Sequence, residues 1–239
     1  MAHEFDGKLA VVTGGSRGIG FAIVEALASR GCKVVFTFRS PSSAQTAGAR
    51  LKAANLSAIP IPCDIRDEQA VRRLFEVLGD KFGRLDFLIN NAGIFGPAVP
   101  VDQVPTDGWR EALDTNLTGT FLCTKYAVPL MQRGAIIVNN LSVAASQAFP
   151  NSAAYAASKQ GALGLTNAMR EDLRSRGIRV IALMPGATET DIWNQFWPDA
   201  PRQKMLQPQD VAEAVVNALQ MPERTSMDEI KIHPAVGRL

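Results

Sequence analysis

The chain has 239 residues, of which 46% are hydrophobic and 20% are charged, and this usage excludes a disordered or fibrous protein. The 25 basic residues nearly balance the 23 acidic residues, which gives a formal charge of +2. Because the sequence has no basic run, this balance gives no support for nucleic-acid binding.

Short apolar runs alternate with helical patterns along the whole sequence. In chain order, the predicted strands cover residues 8–13, 33–38, 58–63, 84–90, 135–141, 178–184 and 229–232. The predicted helices cover residues 19–30, 68–80, 106–132, 153–176 and 208–220, and a further helix opens at the Ser/Pro segment 40–43 and runs to about residue 55. Residues 97–105 and 186–207 are predicted loops, the second with weak helical character.

The predicted strands are continuous apolar runs, so both faces of their sheet are expected to be covered by helices. Regular alternation of strand and helix predicts an α/β fold. We expect a Rossmann-type, doubly wound, mostly parallel seven-stranded sheet with helices on both faces. No break in composition divides the chain, so residues 1–239 are expected to form a single domain.

A glycine-rich turn, TGGSRGIG at residues 13–20, lies between the first predicted strand and the first predicted helix. Glycines at this point let the backbone turn tightly and approach a pyrophosphate, which then rests at the positive end of the helix. The turn therefore predicts a dinucleotide site.

Two other motifs overlap this turn. Gly15 and Gly20 have the spacing of a phosphate-binding P-loop, but Phe21 stands where that motif requires lysine. Residues 14–18 also fit the G-x-S-x-G turn of hydrolases, which needs a histidine base, and only His233 follows it. Both alternatives are therefore disfavoured.

The residues after the second predicted strand indicate which dinucleotide is bound. The segment FTFRS at 36–40 contains no carboxylate for the adenosine ribose of NAD. Arg39, together with Arg17 from the glycine turn, suits bidentate recognition of a phosphate. NADP is predicted, and NAD is the less favoured cofactor.

The few cysteines and histidines exclude other chemistries. Cys32, Cys63 and Cys123 are far apart, which excludes a zinc ribbon or a redox pair and indicates small buried side chains. Besides His233 the only histidine is His3, so no metal site centred on histidine is expected. Since no apolar run approaches the ~18 residues of a membrane span and no signal segment begins the chain, we expect a cytoplasmic protein without a membrane partner.

Tyr155 and Lys159 are four residues apart at the start of a predicted helix, so their side chains lie on one face. An unperturbed tyrosine has a pKa of about 10. A nearby cation favours the phenolate and is expected to lower that pKa. The pair is suited to protonating a ketone oxygen or deprotonating an alcohol.

These features, in this order and spacing, resemble the short-chain dehydrogenase/reductase family in its single-domain branch. The resemblance covers essentially the whole chain. The motifs that carry it are the glycine turn, the NNAG run at 90–93, Asn116, Ser142 thirteen residues before Tyr155, and the Pro-Gly pair at 185–186.

The resemblance implies a catalytic set of Asn116, Ser142, Tyr155 and Lys159. Tyr155 would donate the proton to a carbonyl oxygen that Ser142 polarises. Lys159 would hold the nicotinamide ribose and lower the pKa of Tyr155, while Asn116 would hold a water connected to Lys159.

The resemblance also implies the residues that hold the cofactor, among them an adenine-contacting acid and a segment that binds the carboxamide and pyrophosphate. They are Gly14, Ser16, Arg17, Gly18, Ile19, Gly20, Arg39, Ser40, Asp64, Ile65, Asn91, Ala92, Gly93, Tyr155, Lys159, Pro185, Gly186, Thr188 and Thr190.

Aromatic residues mark the expected substrate side. Phe149 is expected to face the loop at about 186–207, which carries Trp193 and Phe196, and Phe95 and Ser142 are the other expected substrate residues. Such aromatics would form a lid over an apolar or aryl carbonyl compound. Packing of the loop onto the core, or a contact between subunits, would explain them equally well.

The expected activity is that of an NADPH-dependent carbonyl reductase or alcohol dehydrogenase acting on a small molecule. The glycine turn is also similar to that of 3-oxoacyl-acyl-carrier-protein reductases, and this activity is the alternative, although residues 131–134 and the C-terminal segment 227–234 depart from those enzymes. A catalytically silent NADP-sensing protein is a more distant alternative.

The resemblance further implies a homotetramer, or else a homodimer, assembled through the helices predicted at 106–132 and 153–176.

Overall fold

The computed structural model describes residues 4–237, except for the side chains of Gln195 and Phe196. Its centre is a parallel sheet of seven strands in the order β3-β2-β1-β4-β5-β6-β7. The strands are β1 (Leu9–Val12), β2 (Lys33–Phe38), β3 (Ile59–Pro62), β4 (Leu85–Asn90), β5 (Met131–Asn140), β6 (Arg179–Pro185) and β7 (Glu229–Ile232). The predicted doubly wound, Rossmann-type sheet is confirmed.

Eight α-helices connect or follow these strands within the described part of the chain. They are α1 (Gly18–Ala28), α2 (Pro41–Ala53), α3 (Glu68–Phe82), α4 (Thr106–Leu113), α5 (Gly119–Ala127), α6 (Ala153–Arg174), α7 (Trp193–Phe196) and α8 (Pro208–Leu219). Among residues 4–237, no helix has the length and apolar character that crossing a bilayer requires.

Alternate residues of the central strands belong to two different apolar cores. Val12 packs with α1, α2 and α8 on one side of the sheet, whereas its neighbour Val11 packs with α3, α5 and α6 on the other. In β5, Ile136 and Ile137 divide in the same way. Because both faces are buried, the middle of each central strand is a continuous apolar run, as the sequence indicated.

The helix predicted at 106–132 is wrong in its interior and at its end. A wide π-helical turn, Asp114–Thr118, separates α4 from α5, and the last turn, Val128–Leu130, is a 3₁₀ helix. Pro129 lacks the backbone N–H that a continuing helix needs. The chain is therefore extended from Met131, which pairs with Leu85, four residues before the predicted start of the strand.

The order of the strands reverses between β1 and β4, and this reversal positions the site. From β1 the chain proceeds outward to β2 and β3, then returns to β4 and continues in the opposite direction. Loops after the carboxyl ends of β1 and β4 therefore separate and leave a crevice, which is where open α/β sheets bind their ligands.

Candidate active site

A cleft of about 1550 Å³ opens at the carboxyl ends of the strands. It is lined by all of the predicted cofactor residues, and by Ser142, Phe95, Phe149 and Trp193 from the predicted catalytic and substrate sets. Asn116 is not among the lining residues, and the side chain of Phe196 lies outside the described residues.

The glycine turn packs directly against the end of β4. A Cβ atom on Gly14, whose φ is +62°, would lie 2.9 Å from the Cα of Ala92, and one on Gly20 would lie 2.3 Å from Nδ2 of Asn91. The hydroxyl of Thr13 accepts hydrogen bonds from the backbone N–H groups of Asn91 and Ala92, at 2.9 and 3.0 Å. No larger residue fits at either glycine, so backbone lines this part of the cleft.

Asparagine side chains connect the strand ends to the predicted catalytic lysine. Nδ2 of Asn140, at the end of β5, donates to Oδ1 of Asn91 at 2.9 Å. The ammonium of Lys159 donates to the backbone carbonyl of Asn140 at 3.0 Å. Sequence reasoning missed Asn140, although the pair Asn139-Asn140 repeats, one strand along, the pair Asn90-Asn91.

Tyr155 is held by a ring contact and lies beside Ser142. The side chain of Ser142 is close enough to the phenol to lower its pKa. Its ring is stacked on Phe95, with 4.6 Å between the ring centroids and 24° between the planes. Burial raises the pKa of Tyr155 above its ordinary value, and this outweighs the lowering effect of Ser142. The predicted lowering of this pKa is therefore wrong in the protein alone, since desolvation disfavours the phenolate.

Lys159 is a buried cation, with 5% of its surface exposed. Its Nζ lies 5.7 Å from the centroid of the Tyr155 ring, so the predicted proximity of the two side chains is observed. Burial lowers the pKa of Lys159 from 10.5 to about 8, because the charged form is poorly solvated.

Asn116 lies in the π-helical turn, behind the wall of the cleft. Its side chain accepts a hydrogen bond from the N–H of Ile94 at 2.9 Å and donates to the carbonyl of Ile94 at 2.8 Å and to Ser158 at 2.9 Å. Its own carbonyl accepts from Thr120. The side chain thus fixes the backbone at Ile94, directly after the NNAG run. This contact was not part of the predicted role of Asn116, which was to hold a water.

Charged and hydroxyl groups line the opposite end of the cleft. Arg17 and Arg39 are both exposed there, and Arg17 forms a 3.6 Å ion pair with Asp191 of the loop after β6. Asp64 is bound by Arg66, at distances down to 2.6 Å, and this contact lowers the pKa of its carboxyl group. Arg66 was not predicted as part of the site.

The loop at 186–207 is closed at its base and braced inside. Thr188 forms a bridge with Leu206, and the indole N–H of Trp193 donates to the carbonyl of Thr188 at 2.7 Å. The guanidinium of Arg202 donates to Thr190 and to Asn194. Trp193 therefore lines the cleft while it is also bonded to its own loop.

Comparison with known proteins gives the family. The sequence profile described as short chain dehydrogenase matches residues 8–201. The chain is 38% identical over 190 residues to a 3beta-hydroxysteroid dehydrogenase of Mediterraneibacter gnavus, and the aligned residues cover 79% of this chain and 69% of the relative. It is 36% identical over 216 residues to a 3-oxoacyl-[acyl-carrier-protein] reductase of Synechocystis sp., which is 87% of each chain.

A similar crystal structure is that of a short chain dehydrogenase from Burkholderia cenocepacia in complex with NADP. It has a TM-score of 0.86 and 34% identity, and the match covers 96% of this chain and 98% of that one. The chain belongs to the short-chain dehydrogenase family of oxidoreductases, as the motifs indicated.

The buried charge of Lys159 is expected to lower the free energy of unfolding of the protein. Lys159→Met keeps the apolar stem and removes the cation, so we expect the variant to be more stable at pH 7 by roughly 1–3 kcal/mol, even after loss of the bond to Asn140. Because the pKa of Lys159 is about 8 in the folded protein, against an ordinary 10.5, the destabilisation is present below about pH 8 and is lost as the pH rises to 10.5.

Urea unfolding of both proteins at pH 7 and pH 10.5 measures this difference directly. Other titrating groups are shared, so the change in the difference reports the charge of Lys159 together with its effect on the neighbouring Tyr155. A stability difference that is the same at both pH values would contradict the assignment.

Proposed function

We propose that the protein is an NADPH-dependent carbonyl reductase that transfers hydride between NADPH and a ketone or secondary alcohol. The observation that carries this proposal is the grouping of Ser142, Tyr155 and Lys159 in one cleft with the glycine turn. The serine side chain lies close enough to the phenol to act on its pKa, and the ammonium is 5.7 Å from the centroid of the tyrosine ring.

The residues of the cleft fit a phosphorylated dinucleotide. The glycine turn leaves backbone at the N-terminus of α1, where a pyrophosphate is favoured. Arg17 and Arg39 supply guanidinium groups for the extra phosphate, and Ser40, which directly precedes α2, adds a hydroxyl to the lining of the cleft. Thr115 lines the cleft, and its buried hydroxyl has no hydrogen-bond partner among the described residues.

The chain's own residues are suited to handling the proton. When bound, NADPH supplies the hydride. The raised pKa of Tyr155 keeps its phenol protonated at neutral pH, so it is ready to donate to a carbonyl oxygen. Ser142 would orient that oxygen through its hydroxyl, and the positive charge of Lys159 would stabilise the phenolate left after donation.

The aromatic side chains on the substrate side support an apolar or aryl carbonyl compound. Phe149 is 40% exposed and lines the cleft together with Phe95 and Trp193. The second candidate is reduction of a 3-oxoacyl thioester, which the Synechocystis relative favours by its name. A silent NADP-binding role is disfavoured, because none of the four catalytic positions is lost.

We also propose that copies of the chain associate as a homotetramer or a homodimer through α4, α5 and α6. Phe121 on α5 is 44% exposed in the single chain and lies outside the cleft. Pairing of one surface with itself would cover it in a closed assembly.

Tyr155→Phe tests the proton donor. The ring and its stacking on Phe95 remain, so we expect NADPH binding to persist while turnover falls by at least ~100-fold, the usual contribution of a general acid. Steady-state reduction of a ketone and fluorescence titration with NADPH measure the two quantities. Tyr126→Phe, which removes the chain's other tyrosine hydroxyl, is the matched control and should retain activity. Turnover above a few per cent of wild type would remove Tyr155 from this role.

Arg39→Asp tests how the cofactor is selected. We expect the ratio of kcat/KM for NADPH over that for NADH to fall about 10–100-fold, because a charge-assisted bond to phosphate is replaced by repulsion. Lys52→Asp makes the same change of charge on α2 outside the cleft and should leave the ratio unchanged. If the Arg39 variant keeps its selectivity, another group reads the phosphate.

A panel of carbonyl compounds tests the substrate class. Oxidation of NADPH, with NADH in parallel, is followed against an acetoacetyl thioester, a β-keto ester, aryl ketones, diketones and keto steroids. We expect aryl and other compact apolar ketones to give the highest kcat/KM, because the cleft presents aromatic rings. Preference for the thioester would establish the second candidate instead. Tight binding of NADPH with no turnover would indicate a silent protein.

A further inference from the structure

Phe95 lines the cleft, and its ring also stacks on the ring of Tyr155. Its ring lies nearly parallel to that of Tyr155, with 4.6 Å between centroids. This is within the range of favourable offset stacking between aromatic side chains. The contact is made to the ring that carries the reacting hydroxyl, and not only to the space that a substrate would enter.

The residues on both sides of Phe95 are anchored. Both backbone groups of Ile94 are hydrogen-bonded to the side chain of Asn116. Gly96, with a φ of +79°, fits so closely that a Cβ atom there would lie 3.2 Å from the Cβ of Ala112. The backbone on both sides of Phe95 is therefore held, by the side chain of Asn116 before it and by the packing of Gly96 against Ala112 after it, and this fixes the point from which its ring reaches Tyr155.

We propose that Phe95 is a positioning residue, which fixes the ring plane of Tyr155 and keeps water from one face of it, and that Asn116 acts on the same ring through Ile94. This inference rests on the proposed function only in that Tyr155 is taken as the proton donor. It gives the buried side chain of Asn116 a mechanical role, which its position behind the cleft wall requires.

The electrostatics of Tyr155 agree with this geometry. Burial raises the pKa of the phenol, Ser142 acts in the opposite direction, and Lys159 on the same helix is the cation near the ring. An aromatic ring that excludes water from the phenol disfavours the phenolate. Removal of the ring should therefore admit water and make ionisation easier.

The chain has two tyrosines, which makes a direct titration possible without cofactor or substrate. In a Tyr126→Phe background, the near-ultraviolet absorbance of phenolate reports Tyr155 alone. We expect Phe95→Leu in this background to lower the titration midpoint by about 0.5–1 pH unit, a fraction of the shift that full burial causes. Phe82→Leu, the same change at the end of α3 outside the cleft, should leave the midpoint in place.

Kinetics separate positioning from substrate contact. With a small aliphatic ketone, Phe95→Leu should lower kcat about tenfold and change KM less than about twofold, since a misplaced donor slows the chemical step. Phe95→Tyr, which restores a stacking ring, should recover kcat. Phe95→Met is the replacement to use where the leucine variant does not fold.

Two results would overturn the proposal. One is an unchanged titration midpoint in the leucine or methionine variant, and the other is a raised KM with unchanged kcat, as expected of a residue that only lines the substrate pocket. An inactive wild-type protein would instead contradict the proposed function, and the cofactor-free titration would still decide whether Phe95 controls Tyr155.

Discussion

The hydrogen bonds between the ends of neighbouring strands are the constraint on which the site depends. Thr13 accepts from the backbone after β4, Asn140 donates to Asn91, and Lys159 donates to the carbonyl of Asn140. Three strands and α6 are thereby fixed to one another at the point where the order of the sheet reverses. These hydrogen bonds fix the backbone at the strand ends, and they therefore hold the glycine turn and the catalytic side chains in place relative to one another.

Burial shifts the pKa values of Tyr155 and Lys159 in opposite directions, and the cause is the same for both. The pKa of Lys159 falls and that of Tyr155 rises, since each charged form loses solvation. Both side chains are therefore biased toward neutrality in the protein alone. A buried lysine of this kind is poor for stability, and its hydrogen bond to Asn140 offsets only part of the desolvation. Its presence is explained by the site and not by the fold.

Much of this arrangement could be predicted from the sequence, because local signals coincide with the structure. The strand at 33–38 has the predicted bounds, since charged and polar residues mark both of its ends. The helix predicted at 106–132 failed because its apolar spacing continues across the π-helical turn, where the hydrogen-bond pattern changes and the side-chain pattern does not. Pro129 was a local signal that this prediction overlooked.

The contacts of Asn140, Asn116 and Phe95 depend on parts of the chain that are distant in sequence. Nothing near Asn116 indicates that its side chain would bind the backbone of Ile94, 22 residues away. The pKa of Tyr155 was mispredicted for the same reason. The spacing to Lys159 shows that a cation is near, whereas the extent of burial and the ring of Phe95 are known only from tertiary packing.

The protonation state of Tyr155 also bears on the direction of the reaction. Reduction of a carbonyl needs a phenol that can give up a proton, whereas oxidation of an alcohol needs a phenolate that can accept one. Because burial raises the pKa of Tyr155, the protein alone holds the phenol form at neutral pH. Oxidation would require a positive charge near the ring, and Lys159, whose pKa of about 8 leaves it mostly charged at neutral pH, lies in the place to supply it. The packing of the site, to which Phe95 contributes, therefore holds Tyr155 in the protonated form that reduction of a carbonyl uses.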